Sequence, residues 1–179
     1  MNKSMTCLFA ALLVSLAGCE HATVPQGVSL DIRNQIDPAH ERVWRLGRDG
    51  VFVLDRIAPA RFVRLEGWQW VAPPYSCLPD LALGPKGEAV VTSNVLPVLW
   101  RVDPRTFAVS VHPLALDADA DKDVGFSALV YSPQEGAYFG VSQAHRSVWR
   151  ISRDLTRAEK MAPRSLASSM MGDPTCAIN

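Results

Sequence analysis

The sequence lacks an excess of charge of either sign. Lys and Arg total 18, Asp and Glu total 18, and the formal net charge is zero. Phosphate backbones are bound through a concentrated surplus of Lys and Arg, so this balance argues against a nucleic-acid partner. Also missing is any sustained stretch with apolar residues at helical spacing, which argues against a helical bundle. Histidine is sparse and scattered, at His21, His40, His112 and His145. No Gly-x-Ser-x-Gly elbow, His-Glu-x-x-His helix or phosphate loop occurs. Only four cysteines are present. Neither Cys77 nor Cys176 has another Cys or a His close by in sequence, so the usual zinc spacings are absent. Enzymatic chemistry is therefore the weaker reading, and binding the stronger one. Apolar residues at 48% and charged residues at 20% are ordinary globular values and exclude wholesale disorder.

What is present begins with an address. Met1-Asn2-Lys3 is a short basic start, and residues 5–17 form an apolar run. A helix of that length rises about 20 Å, short of the roughly 30 Å of a bilayer core. The segment therefore reads as a secretory signal. It ends in Leu16-Ala17-Gly18-Cys19, which resembles the lipobox of bacterial lipoproteins. The resemblance implies cleavage before Cys19, acylation of that cysteine, and a mature chain of 161 residues. Two or three acyl chains would hold it stably on a membrane. In such proteins Asp after the cysteine signals inner-membrane retention. Glu20 therefore implies the outer membrane, with the domain facing the periplasm. Cys7 leaves with the signal and Cys19 is acylated. One pair remains in an oxidising compartment, so a Cys77–Cys176 disulfide is expected.

The rest of the chain is punctuated by turns. Residues 21–26 are short, polar and Pro-containing, as a tether would be. Residues 28–33 carry the pattern of a first strand, and 34–40, with Asp37-Pro38, read as a loop. From Glu41 onward short apolar runs alternate with Gly and Pro. They fall at 42–46, 51–55, 61–65, 80–83, 88–92, 98–102, 107–111, 127–131, 137–141, 147–151 and 155–160. Each is about five residues, the usual strand length. Gly84-Pro85-Lys86-Gly87 and Ser132-Pro133-Gln134-Glu135-Gly136 are among the turn signals between them. The fold class is all-β, with the chain divided into a signal (1–18), lipidated Cys and tether (19–40), β domain (41–161) and tail (162–179).

Self-similarity sharpens the architecture. Trp-Arg-aliphatic occurs at Trp44, Trp100 and Trp149, separated by 56 and 49 residues. Leu81-Ala82-Leu83-Gly84-Pro85 parallels Leu129-Val130-Tyr131-Ser132-Pro133, and Ala89-Val90-Val91 parallels Ala137-Tyr138-Phe139. A period of 40–50 residues holding four strands is a propeller-blade signature. The stretch from Leu81 to Asn94, followed by Leu99-Trp100-Arg101-Val102-Asp103-Pro104, resembles blades of the NHL, YVTN and gluconolactonase-like propellers. The resemblance covers 77–161 well and 41–72 loosely. It implies antiparallel four-stranded blades in a partial or small β-propeller-like array. Two clear blades and one degenerate one fall short of the usual four to eight. The array is then open, unusually small, closed by homo-oligomerisation, or a remnant of a larger parent. Alternation on 98–102 places Trp100 with Val98 and Val102, as packing between blades requires.

Three places could carry function. Gly67-Trp68-Gln69-Trp70-Val71-Ala72-Pro73-Pro74-Tyr75 is an aromatic insertion relative to the blade period, and loops on rigid scaffolds often carry recognition. Trp68, Trp70 and Tyr75 are its candidate ligand-binding residues, for an envelope protein, peptide or glycan. Asn94, a further candidate ligand-binding residue, occupies the loop after the second strand of its blade, where the gluconolactonase-like family, whose members bind a divalent metal through Glu, Asn and Asp, often has a polar residue. The resemblance thus implies a metal-dependent lactone hydrolase as the alternative to a binding or scaffolding module, but no Glu or Asp counterparts accompany it. Asp117, Asp119 and Asp121 alternate as in a calcium loop. The EF-hand spacing fails, since Lys122 replaces the turn glycine and Ala128 the distal Glu. No cofactor is expected, and calcium is the one ion left open.

Overall fold

Strands that are apolar on both faces are covered only when sheet stacks on sheet. The computed structural model describes residues 31–117 and 124–162, and no helix occurs among them. Three antiparallel four-stranded blades follow one another. The first is β1 (Arg33–Asp37), β2 (Arg42–Leu46), β3 (Gly50–Asp55) and β4 (Arg61–Arg64). The second is β5 (Leu81–Leu83), β6 (Ala89–Thr92), β7 (Val98–Val102) and β8 (Val109–Pro113). The third is β10 (Ala128–Ser132), β11 (Ala137–Ser142), β12 (Ser147–Ile151) and β13 (Arg157–Lys160). A two-residue strand, β9 (Ala115–Leu116), pairs in parallel with β13 and covers the outer edge of the third blade. The all-β class and its four-stranded antiparallel blades are as the repeats predict.

The middle blade shows how the stack is held. Leu81, Ala89, Val91, Trp100 and Val102 join Trp44, Leu46, Val51, Val53 and Val63 of the first blade in one core. Its other face gives Ala82, Val90 and Leu99 to a second core with Tyr138, Trp149, Ile151 and Ala158 of the third blade. Strand periodicity of two divides one blade between two neighbours. Trp100 and Trp149 are buried between blades, each removing on the order of 200 Å² from water. Trp100 Nε1 donates to Glu66 O at 3.0 Å, so the indole also ties its blade to the preceding one. Asp80 links the innermost strands. Its carboxylate accepts from Leu81 N at 2.9 Å and from Leu129 N of β10 at 2.8 Å, and it pairs with Arg33 of β1 at 2.9 Å.

Two sequence expectations are corrected. The loop expected at 34–40 is a strand up to Asp37, and of the strand expected at 28–33 the described residues 31 and 32 lie outside β1 while Arg33 begins it. β1 pairs with β2 along its whole length, so its backbone is satisfied even where its side chains are polar. The first blade is therefore complete rather than degenerate. In addition, Trp44 is not the counterpart of Trp100 and Trp149. It lies on the second strand of its blade, opposite Val53, whereas Trp100 lies on a third strand opposite Val91. The large–small pair is kept with its members exchanged, and Trp44 faces the following blade instead of the preceding one.

Candidate functional site

Antiparallel order puts alternate connections at opposite ends of the stack. The end carrying the β2–β3, β4–β5, β6–β7 and β8–β10 connections is here the upper end. It holds the aromatic insertion, which lies within the long β4–β5 connection. β1 begins at this end and β13 finishes there.

The insertion is fastened from beneath by the end of β6. Trp68 Nε1 donates to Thr92 O at 2.9 Å. Ser93 Oγ donates to Gln69 O at 2.7 Å. Asn94 Oδ1 accepts from Val71 N at 3.0 Å, while its Nδ2 donates to Val71 O and Cys77 O, each at 2.7 Å. Trp70 Nε1 reaches across to Arg48 O at 3.0 Å. Both indole N–H groups are thus satisfied within the protein, which fixes the rings. The rings lie 5.8 Å apart with planes inclined by 33°. Trp68 packs on the core between the first two blades. Trp70 is half-buried.

These residues wall an open cleft of about 750 Å³. Arg48, Asp49, Arg64, Glu66 and Gln69 supply its charged and polar groups. Two arginines and two carboxylates leave this wall without net charge. The β8–β10 connection docks beside it, with Phe126 N donating to Ser93 O at 2.7 Å. A Cβ added at Gly125 would lie 2.0 Å from the Asn94 carbonyl carbon, so glycine is required for this approach.

The structure separates the residues singled out in the sequence. Trp68 and Trp70 come together in the cleft. Tyr75 belongs to the same loop and is 88% exposed, but it does not line the cleft. Asn94, the fourth candidate ligand-binding residue, is buried with both donors and its oxygen engaged by the loop, which it fastens to the end of β6. Asp117 Oδ1 accepts from Lys160 N at 2.9 Å, closing the β9–β13 edge. Asp119, Asp121, Cys19 and Cys176 lie outside the described residues, and with them the calcium loop, the lipidation site and the Cys77–Cys176 pairing. Sequence reading missed Thr92 and Ser93, which hold the loop. Their signal was available in the polar Thr92-Ser93-Asn94 run that ends an otherwise apolar strand.

No protein-family model matches the chain, and no curated protein matches it. Among solved structures, a catalytically inactive variant of virginiamycin B lyase from Staphylococcus aureus, determined with quinupristin, matches with a TM-score of 0.58 at 13% identity. The selenomethionine-substituted form of that enzyme gives 0.57 at 14% identity. Each match covers 78% of this chain and 43% of the lyase. A protein of unknown function from Bacteroides thetaiotaomicron gives 0.47 at 16% identity, covering 69% and 31%. The likeness to the lyase shows a propeller-like fold. This chain spans less than half of the lyase's length.

Proposed function

We propose that the chain is a binding module of the bacterial cell envelope that takes a glycan in the upper cleft. The carrying observation is the loop itself. Two indoles have their N–H groups fixed by Thr92 O and Arg48 O, and they line one cleft with Arg48, Asp49, Glu66 and Gln69. Indole faces suit the C–H faces of sugar rings, and the flanking polar groups suit hydroxyls. The lipobox at 16–19 supports attachment through acylated Cys19 to the outer membrane, facing the periplasm. The tether from Cys19 to Leu30 has twelve residues. Fully extended it reaches roughly 40 Å, long enough to leave a cleft at the same end of the stack accessible. A Cys77–Cys176 disulfide would tie the tail beneath the aromatic loop, since Cys77 O is held by Asn94.

The metal-dependent hydrolase reading has less support, because the residue that suggested it is engaged by the loop. The binding reading is tested by co-sedimentation of the mature protein with purified peptidoglycan. Retention is expected for the wild type, and Trp70→Ala should lower it at least fivefold. Equal retention of both proteins would defeat the reading.

A further inference from the structure

The opposite, lower end of the stack carries a second cleft, of about 770 Å³. Three connections meet there: the β1–β2 turn, the β3–β4 loop and the β7–β8 turn. Four arginines line it, Arg42, Arg56, Arg61 and Arg105. Two are already matched. Arg42 pairs with Asp55 at 3.0 Å and also donates to Pro104 O. Arg56 pairs with Glu41 at 2.7 Å. Arg61 and Arg105 have no ion-pair partner among the described residues. Asp103 attracts the Arg105 charge without forming an ion pair with it, and its Oδ1 accepts from the backbone N–H groups of Arg105 and Thr106, at 2.9 and 2.8 Å. Among the lining residues Glu41 and Asp55 stand against four arginines, an excess of two positive charges, and the neighbouring Asp103 offsets one of them.

The aromatic part of the wall is as ordered as the charged part. Phe107 has φ +59°, a left-handed conformation that is costly for a bulky residue. The Asp103 turn holds it there, with Phe107 N donating to Asp103 O at 3.0 Å. Its ring lies under the Arg61 guanidinium at 4.4 Å and near that of Arg42 at 5.5 Å. A buried Asp37 fixes one more group, since His40 Nδ1 lies 2.7 Å from Asp37 Oδ2 and the imidazole borders the cleft. Ile57, Pro59 and Phe62 complete an apolar side.

We infer that this lower cleft binds a small organic anion, an aryl or alkyl phosphate or carboxylate. Arg61 and Arg105 hold its charged oxygens, and Phe107 with the apolar wall holds its body. Guanidinium forks match such oxygens in pairs, and charge-assisted hydrogen bonds are among the strong ones. The site is independent of the upper cleft and of the glycan reading.

The test is titration of the full mature protein with phenyl phosphate, followed by calorimetry. Inorganic phosphate and benzyl alcohol serve as partial ligands. Saturable binding of phenyl phosphate is expected, at least tenfold tighter than either partial ligand. Arg61→Gln and Arg105→Gln lie on exposed positions and should each weaken it about tenfold or more. Arg153→Gln, which removes the same charge from an exposed turn of the third blade, should change it less than twofold. Benzoate in place of phenyl phosphate separates the two anion types: tighter phosphate binding assigns a phosphate ester, tighter benzoate binding a carboxylate. Failure of both anions to saturate overturns the inference. So does an equal loss in Arg153→Gln, or binding of benzyl alcohol as tight as that of the anions.

Discussion

Asp80 shows how much one residue can carry in a fold of short strands. It is buried, and it joins the first strands of all three blades through Arg33, Leu81 N and Leu129 N. Burial raises its pKa, and the hydrogen bond from Leu129 N, the Arg33 charge and the Leu81 hydrogen bond oppose the rise only in part. Arg33 is half-exposed, and water screens much of its attraction. The folded protein therefore holds the Asp80 proton more tightly than the unfolded chain does. The stability this contributes is full below the ordinary value of 3.8 and is lost as pH rises through the folded value. In urea titrations across this range, wild type should lose stability relative to Asp80→Asn as pH rises above 3.8, and then level off. A difference that stays flat with pH would show that Asp80 titrates normally. Nothing in the sequence marked Asp80, because its partners lie on strands 47 and 49 residues away, and single-chain patterns do not reveal such distances.

At the scale of the element, strand positions were legible and strand roles were less so. The apolar runs at 42–46, 98–102 and 147–151 coincide with β2, β7 and β12, because alternation and Pro-Gly punctuation are local properties. β1 escaped notice because its side chains, Arg33-Asn34-Gln35-Ile36-Asp37, are mostly polar, and its stability comes from pairing with β2. Asp37-Pro38 in fact repeats the turn of Gly84-Pro85 and Ser132-Pro133. The β8–β10 connection is an element whose fit depends on one missing side chain. Gly125 passes directly over Asn94 and Val95, beside the residues that hold the aromatic loop. Gly125→Ala should destabilise the protein by about 2 kcal/mol, the usual range for overpacking. It should also weaken the proposed glycan binding by displacing Asn94. A thermal melt unchanged by this substitution would contradict the close approach.

On the scale of the whole molecule, the three blades formed by the described residues bury two interfaces, and among those residues two outer blade faces are left at the ends. The first blade's outward face carries Ile36, Leu54 and Phe62, with Ile36 72% exposed. The third blade's outward face carries Val130, also exposed. Any further blade must meet one of these faces. The two ends of the stack perpendicular to them carry the two clefts, one aromatic and neutral, one arginine-rich. The aromatic cleft was visible in the sequence as a Trp-rich insertion, whereas the arginine cleft was not, since its residues come from three separate turns. The most direct test of the binding account uses the five indole N–H signals of the mature protein, one per tryptophan. They would be followed by NMR during titration with soluble peptidoglycan fragments. The account predicts saturable shifts for Trp70 and Trp68, while Trp44, Trp100 and Trp149, buried between blades, stay in place. Signals that all remain still, or that move only for the buried three, would contradict it.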